Sequence, residues 1–255
     1  MVTTWSFLFI GFFVGGLGTL VGLGGGFILV PLMLFLFPDF ASVKITSISM
    51  LAVLANSISG SIASHRHQRI HWRAGLLFSL AALPGIVVGL ELAKRIEREG
   101  FELAFGFLLF LVACFLFYRT FKKAPTERHP TSKLSTRAMI HGFWVCMLAG
   151  VLSSFLGIGG GVIYVPMLSQ FMHFPVLLAT GTSQLILALT SAVTSVGHWQ
   201  NGQYADLPDF VPYLLVGIFC GAQVGAKLAK KISSKRILQI LAVVLMIIAG
   251  RLVLR

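Results

Sequence analysis

The stretch GLGGGFILVP, residues 22–31, lies in the middle of an apolar segment that runs from Trp5 to Phe37. A membrane is crossed by roughly 20 residues of helix, so this segment is too long for one ordinary span. Glycine destabilises a helix interior by about 1 kcal/mol and proline by about 3 kcal/mol. The glycines at 22 and 24–26, followed by Pro31, therefore predict a break that divides the segment into two half-helices.

The same pattern returns in the second half of the chain as GIGGGVIYVP, residues 157–166, inside an apolar segment from Met139 to Met172. Other residues recur at nearly the same offset: Thr46-Ser47 as Thr182-Ser183, and Gly85, Gly89, Ala93, Lys94 and Ile96 as Gly221, Gly225, Ala229, Lys230 and Ile232. This spacing indicates an internal duplication. We predict one integral membrane domain, residues 1–255, with a first repeat 1–121, a cytoplasmic linker 122–138 and a second repeat 139–255.

The composition supports a membrane protein. Of 255 residues, 56% are hydrophobic and only 11% are charged, whereas a soluble domain has about 25% charged residues. Eight apolar segments follow one another: 5–37, 45–63, 74–93, 101–117, 139–172, 175–196, 210–229 and 237–254. The net charge of +12 lies mostly between these segments, which favours anionic lipid headgroups as its partner and argues against nucleic acid.

The topology depends on whether each broken segment crosses the membrane once or folds back. A single crossing divides the Lys and Arg residues almost equally between the two sides. A hairpin that returns to its own side concentrates them on one side, as the positive-inside rule requires. We therefore predict an all-α membrane protein of two inverted repeats, each a glycine-broken re-entrant or hairpin helix followed by three transmembrane helices. Both termini are expected outside, and the first segment is expected to stay uncleaved because no basic region precedes it.

Two broken helices in an inverted pair would bring half-helix starts together near the middle of the membrane. A helix start carries unpaired N–H groups and a partial positive charge, so it favours an anion. Glycine lets a ligand approach the backbone closely. The glycines predicted to bind substrate are Gly24, Gly25, Gly26, Gly159, Gly160 and Gly161. Glycines outside the breaks, such as Gly85 and Gly221, are expected to serve close helix packing.

Neutral polar residues follow each break. Those predicted to line the path are Thr46, Ser47, Asn56, Thr182, Ser183 and Gln184; interhelical hydrogen bonding is the alternative role. Since no acidic residue lies in the middle of a span, proton coupling would have to use His65 or His198, although a histidine at such a position is more often an interfacial residue than a proton relay. The arginines around His65 disfavour a metal site. No metal, cofactor or catalytic group is expected.

On the two GxGGG…P elements, the Thr-Ser pairs and the duplication, the chain resembles the sulfite exporter TauE/SafE family over essentially its whole length. That resemblance implies a multi-pass permease of the bacterial plasma membrane for sulfite, thiosulfate, sulfonates or related organic anions. Together with the residues it favours an exporter that works by alternating access, and it leaves homo-oligomerisation open. The alternative is a membrane-embedded enzyme acting on an anionic lipid or an isoprenoid phosphate.

The inverted arrangement predicts opposite locations for two reporter fusions. A fusion after Arg137 should be cytoplasmic and one at Arg255 should be outside, because each half makes an odd number of crossings. Alkaline phosphatase and green fluorescent protein activities measure the two locations. Both fusions on one side of the membrane would contradict the inverted repeats.

Overall fold

The computed structural model describes residues 5–121 and 136–229, together with positions 246 and 250, and every regular element among them is helical. The helices are α1 (Ser6–Val21), α2 (Gly26–Leu36), α3 (Ser42–Arg66), α4 (Trp72–Arg95), α5 (Arg98–Phe121), α6 (Thr136–Leu156), α7 (Gly161–Pro166), α8 (Val176–Gln200) and α9 (Val211–Leu228). A π-helical turn, Met167–Phe171, continues α7 directly. Apart from two isolated positions, the predicted eighth segment, 237–254, lies outside the described residues, as does most of the linker.

The structure confirms a multi-pass, all-helical membrane protein. Five of the described helices are long and apolar enough to cross a membrane: Ser42–Arg66, Trp72–Arg95, Met139–Leu156, Val176–Gln200 and Val211–Leu228. Two shorter apolar helices, Ser6–Val21 and Gly26–Leu36, make up the first broken segment, and the second consists of the span Met139–Leu156 followed by the shorter helix Gly161–Phe171. Helix α6 begins at Thr136, three residues before the predicted start of the second repeat; the bounds of the repeats stay a prediction.

The first broken segment folds back as a hairpin. Helix α1 ends at Gly22 with φ of 80°, and α2 begins after Gly25 with φ of 79°, both in the left-handed region that favours glycine. The ring of Phe7, near the start of α1, lies 6.1 Å from that of Phe37, just after α2. The two outer ends of the segment are therefore neighbours. This confirms the predicted hairpin for this segment and excludes a single crossing of the membrane.

The second broken segment has the same form. Gly157 and Gly160 have φ of 73° and 71°, so the chain turns between α6 and α7 as it does between α1 and α2. A Cβ atom added to Gly142, near the start of α6, would lie 2.9 Å from Cε of Met172, just after the π-helical turn. The beginning and the end of this segment therefore also lie side by side.

Helices α3 and α8 form an antiparallel pair at the centre of the fold. The backbone N–H of His71, after α3, donates to Oγ1 of Thr182, near the start of α8, at 3.0 Å. Lys44, near the start of α3, donates through Nζ to the carbonyl of Gln203, after α8, at 3.0 Å. We call these the Arg69 end and the Lys44 end of the pair, after a residue that lies at each.

The two hairpins open toward different ends of this pair. Phe37, at the mouth of the first hairpin, stacks on Phe210 at 4.9 Å, beside the Lys44 end. Phe174, at the mouth of the second, lies 5.2 Å from the ring of His71, at the Arg69 end. The full inverted repeat, which includes residues outside the described part of both halves, stays a prediction.

Helices from the two halves of the chain pack closely against each other at glycines, the role predicted for the glycines outside the breaks. Helix α1 packs on α9, and α4 packs on α6. A Cβ atom on Gly221 would overlap the carbonyl of Phe12, and one on Gly85 would overlap the carbonyl of Met147. Backbones at these crossings touch, so the glycines are required by packing.

Arg98 anchors the open end of the first hairpin. Its guanidinium donates to the carbonyls of Phe40 at 2.6 Å, Leu34 at 3.2 Å and Pro38, and it pairs with Glu102 at 2.7 Å. The last carbonyls of a helix have no partner within the helix. Arg98 supplies partners for the end of α2 and connects it to the start of α5.

Two glycines on the same crossing should respond differently to substitution. Gly221→Ala should lower the free energy of unfolding by about 1–3 kcal/mol, since the new methyl has no room. The matched control is Gly16→Ala, whose Cβ would lie an ordinary 3.5 Å from the Gly221 carbonyl; it should be neutral or slightly stabilising. Thermal unfolding in detergent measures both, and equal effects would contradict this account of the crossing.

Candidate functional site

The two glycine breaks lie against each other. A Cβ atom on Gly26 would lie 2.7 Å from the carbonyl oxygen of Gly157, and one on Gly161 would lie 2.7 Å from Cα of Leu23 and 2.9 Å from the oxygen of Gly22. These reciprocal contacts show that the first turn of α2 packs on the break at Gly157, and that the first turn of α7 packs on the break at Gly22. The glycines predicted from the sequence are thus brought together at one place.

Serine hydroxyls from α3 and α8 hold the carbonyls that the breaks expose. Ser183 Oγ donates to the oxygen of Gly22 at 3.0 Å, and Ser49 Oγ donates to the oxygen of Gly157 at 2.6 Å. Each hydroxyl reaches the break of the other half of the chain. Since unpaired backbone is not tolerated in hydrocarbon, these bonds explain how the breaks persist inside the protein.

The helix starts at the breaks have the features expected of an anion site. Gly25 and Gly160 are the N-cap residues of α2 and α7, and neither start has a side-chain cap hydrogen bond. A helix start offers unpaired N–H groups and about half a positive charge. Helix α7 and the π-helical turn form one apolar helix, Gly161–Phe171, so both breaks lead into helices of similar length.

Apolar side chains close the space beside the breaks. A Cβ atom on Gly24 would lie 3.1 Å from Leu187 and 3.2 Å from Val53, and one on Gly159 would meet the same two side chains at 3.1 and 2.6 Å. Val53 and Leu187 come from the middle of α3 and α8. In this conformation the breaks are packed tightly against these two side chains.

The six polar residues predicted to line a path are all buried, but they have different partners. Thr46, Ser47, Asn56, Thr182 and Ser183 have no exposed surface, and Gln184 is 1% exposed. Thr46 and Ser47 donate to carbonyls of their own helix, at 2.9 and 2.8 Å. Thr182 accepts the His71 N–H, and Ser183 holds the break. These four have structural partners in this conformation.

Asn56 and Gln184 are different, because each has at least one side-chain amide atom without a hydrogen-bond partner among the described residues. Asn56 Oδ1 accepts from Thr19 Oγ1 at 2.9 Å, while its Nδ2 has no partner among the described residues. Within the same part of the chain neither amide atom of Gln184 is hydrogen-bonded. A Cβ atom on Gly60 would lie 2.9 Å from Gln184 Oε1 and 3.2 Å from Thr19 Cγ2, so these side chains form one cluster. An unsatisfied buried amide destabilises a protein by about 1–3 kcal/mol.

The two predicted histidines lie in different environments. His65 is exposed at the Arg69 end, with its ring 5.5 Å from that of Trp72. His198, near the C-terminus of α8, is 1% exposed, and its Nε2 has no partner among the described residues. Of the two, only His198 lies inside the protein, at the Lys44 end.

Sequence reasoning missed Thr19 as a member of the site. Thr19 lies three residues before Gly22, and Ser154 holds the corresponding position before Gly157. A hydroxyl residue at the same place in both copies was the available signal. Its partner Asn56 lies 37 residues along the chain, and only the fold shows that the two meet.

The charged groups lie toward the two ends of the α3–α8 pair. Arg69, in the loop after α3, is half-buried, and desolvation lowers the pKa of its guanidinium. Lys44 and Lys94 lie at the other end. No group of three or more His, Cys, Asp or Glu side chains in the described part of the chain is arranged to hold a metal ion.

Spanning helices around two packed, broken hairpins define a class of protein, the multi-pass membrane proteins. The chain belongs to the sulfite exporter TauE/SafE family, whose model matches residues 7–252. It is 27% identical to the probable membrane transporter protein YunE of Bacillus subtilis, covering 96% of this chain and 95% of that protein.

Other relatives agree with this assignment. A probable membrane transporter protein of Methanocaldococcus jannaschii is 27% identical over 90% of this chain and 88% of its own length. One from Xylella fastidiosa is 28% identical over 92% and 87%. No solved structure matches. The family is one of sulfite exporters and these relatives are named probable membrane transporter proteins, so the enzyme alternative is not retained.

Ser49 and Ser47, two serines near the break, should contribute differently to the stability of the protein. Ser49→Ala should lower the free energy of unfolding by about 1–3 kcal/mol, because it leaves the Gly157 carbonyl without its donor. Ser47→Ala is the matched control, since the Ser47 hydroxyl bonds only a carbonyl of its own helix; it should change stability by less than about 1 kcal/mol. Thermal unfolding in detergent measures both. A harmless Ser49→Ala would show that the break does not need this bond.

Proposed function

We propose that this protein is a secondary transporter, and by default an exporter, of small sulfur-containing or organic anions such as sulfite, thiosulfate or sulfonates. The single observation that carries the proposal is the reciprocal contact between the two breaks, Gly26 with Gly157 and Gly161 with Leu23. It joins two uncapped helix starts from different halves of the chain at one place. The membrane would be the plasma membrane, the inner membrane if the source is bacterial.

The chemistry of this place suits an anion with several oxygens. The helix starts supply N–H donors and partial positive charge without a fixed full charge. Gly24, Gly25 and Gly26, with Gly159, Gly160 and Gly161, present no Cβ to hold a ligand away from the backbone. The unpaired amides of Asn56 and Gln184 add donors nearby. Neutral donors bind an oxyanion without a charge that would hold it too tightly for turnover.

The tight packing around the breaks supports an alternating-access mechanism. Val53 and Leu187 lie directly against Gly24 and Gly159, so an anion reaches the helix starts only when the hairpins or the α3–α8 pair move. We propose that the two halves are inverted repeats that rock against each other, exposing the site to one side at a time. Hairpin mouths at opposite ends of α3–α8 support this arrangement.

The default direction is outward. A cytosol-negative membrane drives each negative charge outward with about 2.3 kcal/mol per 100 mV. Import would need a coupling ion. Of the two histidines suggested for proton coupling, His198 has the better position, because His65 is exposed whereas His198 is buried with an unpaired ring nitrogen.

Transport should depend on Gly160, the glycine at the start of α7, and not on Gly202, a glycine with the same left-handed backbone conformation elsewhere in the chain. Gly160→Ala should abolish flux of labelled sulfite or thiosulfate in proteoliposomes, because its Cβ meets Tyr164 at 3.0 Å and the backbone leaves its φ of 71°. Gly202→Ala, at the same φ of 71° with nothing within 4 Å of its Cβ, should keep flux.

Both variants should first be shown to be monodisperse and folded, by gel filtration and thermal unfolding. Normal flux in folded Gly160→Ala would remove the helix start from the mechanism. Absence of flux in the unmodified protein for every anion of the panel would refute the substrate class.

A further inference from the structure

A chamber of about 190 Å³ lies at the Lys44 end, between α3, α4, α8 and the loop that follows α8. Its lining residues are Val43, Leu90, Lys94, His198, Asn201 and Gln203. A water molecule occupies about 30 Å³ in the liquid. The chamber therefore has room for a small oxyanion together with a few waters.

His198 gives this chamber an unpaired buried group. The side chain is 1% exposed, yet its Nε2 has no hydrogen-bond partner in the described part of the protein. Buried polar atoms in native structures are nearly always paired, and each exception needs an explanation. Because His198 lines the chamber, a polar ligand inside it can provide the missing partner.

The charge of the lining favours an anion. Lys94 is its cation, the amides of Asn201 and Gln203 are neutral donors, and the lining includes no carboxylate. The nearest carboxylate partner of Lys94 is Glu91, at 3.2 Å, which also pairs with Arg95 at 3.2 Å. The Lys94 side chain is 41% exposed, so it is free to exchange this surface pair for a bound anion.

The chamber lies about one helical turn from a glycine break. Val43 lines the chamber, and its carbonyl accepts from Thr46 Oγ1 at 2.9 Å. Thr46 in turn packs on the break, since a Cβ atom on Gly157 would lie 3.0 Å from its Cα. A ligand in the chamber is therefore placed next to the region where the proposed transport site lies.

A smaller cavity with the same design lies at the Arg69 end. Its lining includes Arg69 as a cation, Thr19 and Thr180 as hydroxyls, and Gln184 as the unpaired buried group. Its volume is only about 10 Å³, room for no more than a single water. Each end thus combines a cation with an unsatisfied buried side chain, and of these two cavities the one at the Lys44 end is much the larger.

We infer that the chamber lined by Lys94, His198 and Asn201 is an oxyanion-binding subsite, which holds sulfite or a small sulfonate between solvent and the broken helices. The inference rests on the proposed function for the class of anion. Lys94 supplies the opposite charge, and His198 and the two amides supply hydrogen bonds. The smaller cavity at the Arg69 end has no room for such an anion in this conformation.

The test compares anion-dependent stabilisation of the purified full chain in detergent. Sodium sulfite and sodium methanesulfonate are titrated at constant ionic strength against sodium chloride, and the midpoint of thermal unfolding is recorded. In the unmodified protein the midpoint should rise with either anion. In Lys94→Gln and His198→Phe the anion concentration needed for half of this rise should increase by about tenfold or more, as expected for loss of a charge-assisted hydrogen bond.

The matched control is Arg95→Gln, which removes the other cation paired with Glu91 but does not line the chamber. It should leave the half-effective concentration unchanged. If His198→Phe does not fold, His198→Gln and Lys94→Gln decide the matter. Equal stabilisation in all variants, or no stabilisation of the unmodified protein by either anion, overturns the subsite.

Flux in proteoliposomes distinguishes this inference from the proposed function. Flux of sulfite in the unmodified protein, combined with unchanged anion stabilisation of Lys94→Gln, leaves the transporter standing and overturns the subsite. Stabilisation that depends on Lys94 and His198, without flux of any anion in the panel, supports the subsite and refutes the transporter.

Discussion

The structure depends on one constraint, that unwound backbone inside a membrane must find its hydrogen-bond partners within the protein. The glycine breaks expose carbonyls at Gly22 and Gly157, and each receives a hydroxyl from a helix of the other half, Ser183 and Ser49 respectively. The first turn of α2 packs on the break of the second half, and the first turn of α7 packs on the break of the first half. The breaks can exist because the two halves complete each other.

This reciprocal arrangement extends to the outer helices. Helix α1 packs on α9 and α4 packs on α6, each pair joining one half of the chain to the other through glycines that allow the backbones to touch. The crossings leave little freedom for sliding, since a single methyl group would overlap a carbonyl. The proposed rocking of the two halves would therefore have to pivot at these crossings rather than slide along them.

The buried polar groups fall into two kinds. Thr46, Ser47, Thr182 and Ser183 have partners that a static protein needs, whereas Asn56, Gln184 and His198 are among those with atoms that lack partners among the described residues. Leaving such atoms unpaired destabilises the fold, so each one needs an explanation, and a bound ligand is the explanation that fits the proposed function. Gln184 and His198 line cavities at opposite ends of the α3–α8 pair, each with a cation, which supports the proposed path for an anion.

The sequence alone determined the local features: apolar length predicted the membrane segments, four clustered glycines predicted each break, and the repeated pattern predicted similar elements in both halves. These depend on neighbouring residues, so they can be read along the chain. Only the tertiary structure decided which polar residues hold the fold and which are unpaired, because Ser49 and Gly157 are 108 positions apart and Ser183 and Gly22 are 161 apart. The chamber at Lys94 and His198 could not be predicted for the same reason, since its walls come from three helices and a loop whose approach is set by the packing of glycine on backbone.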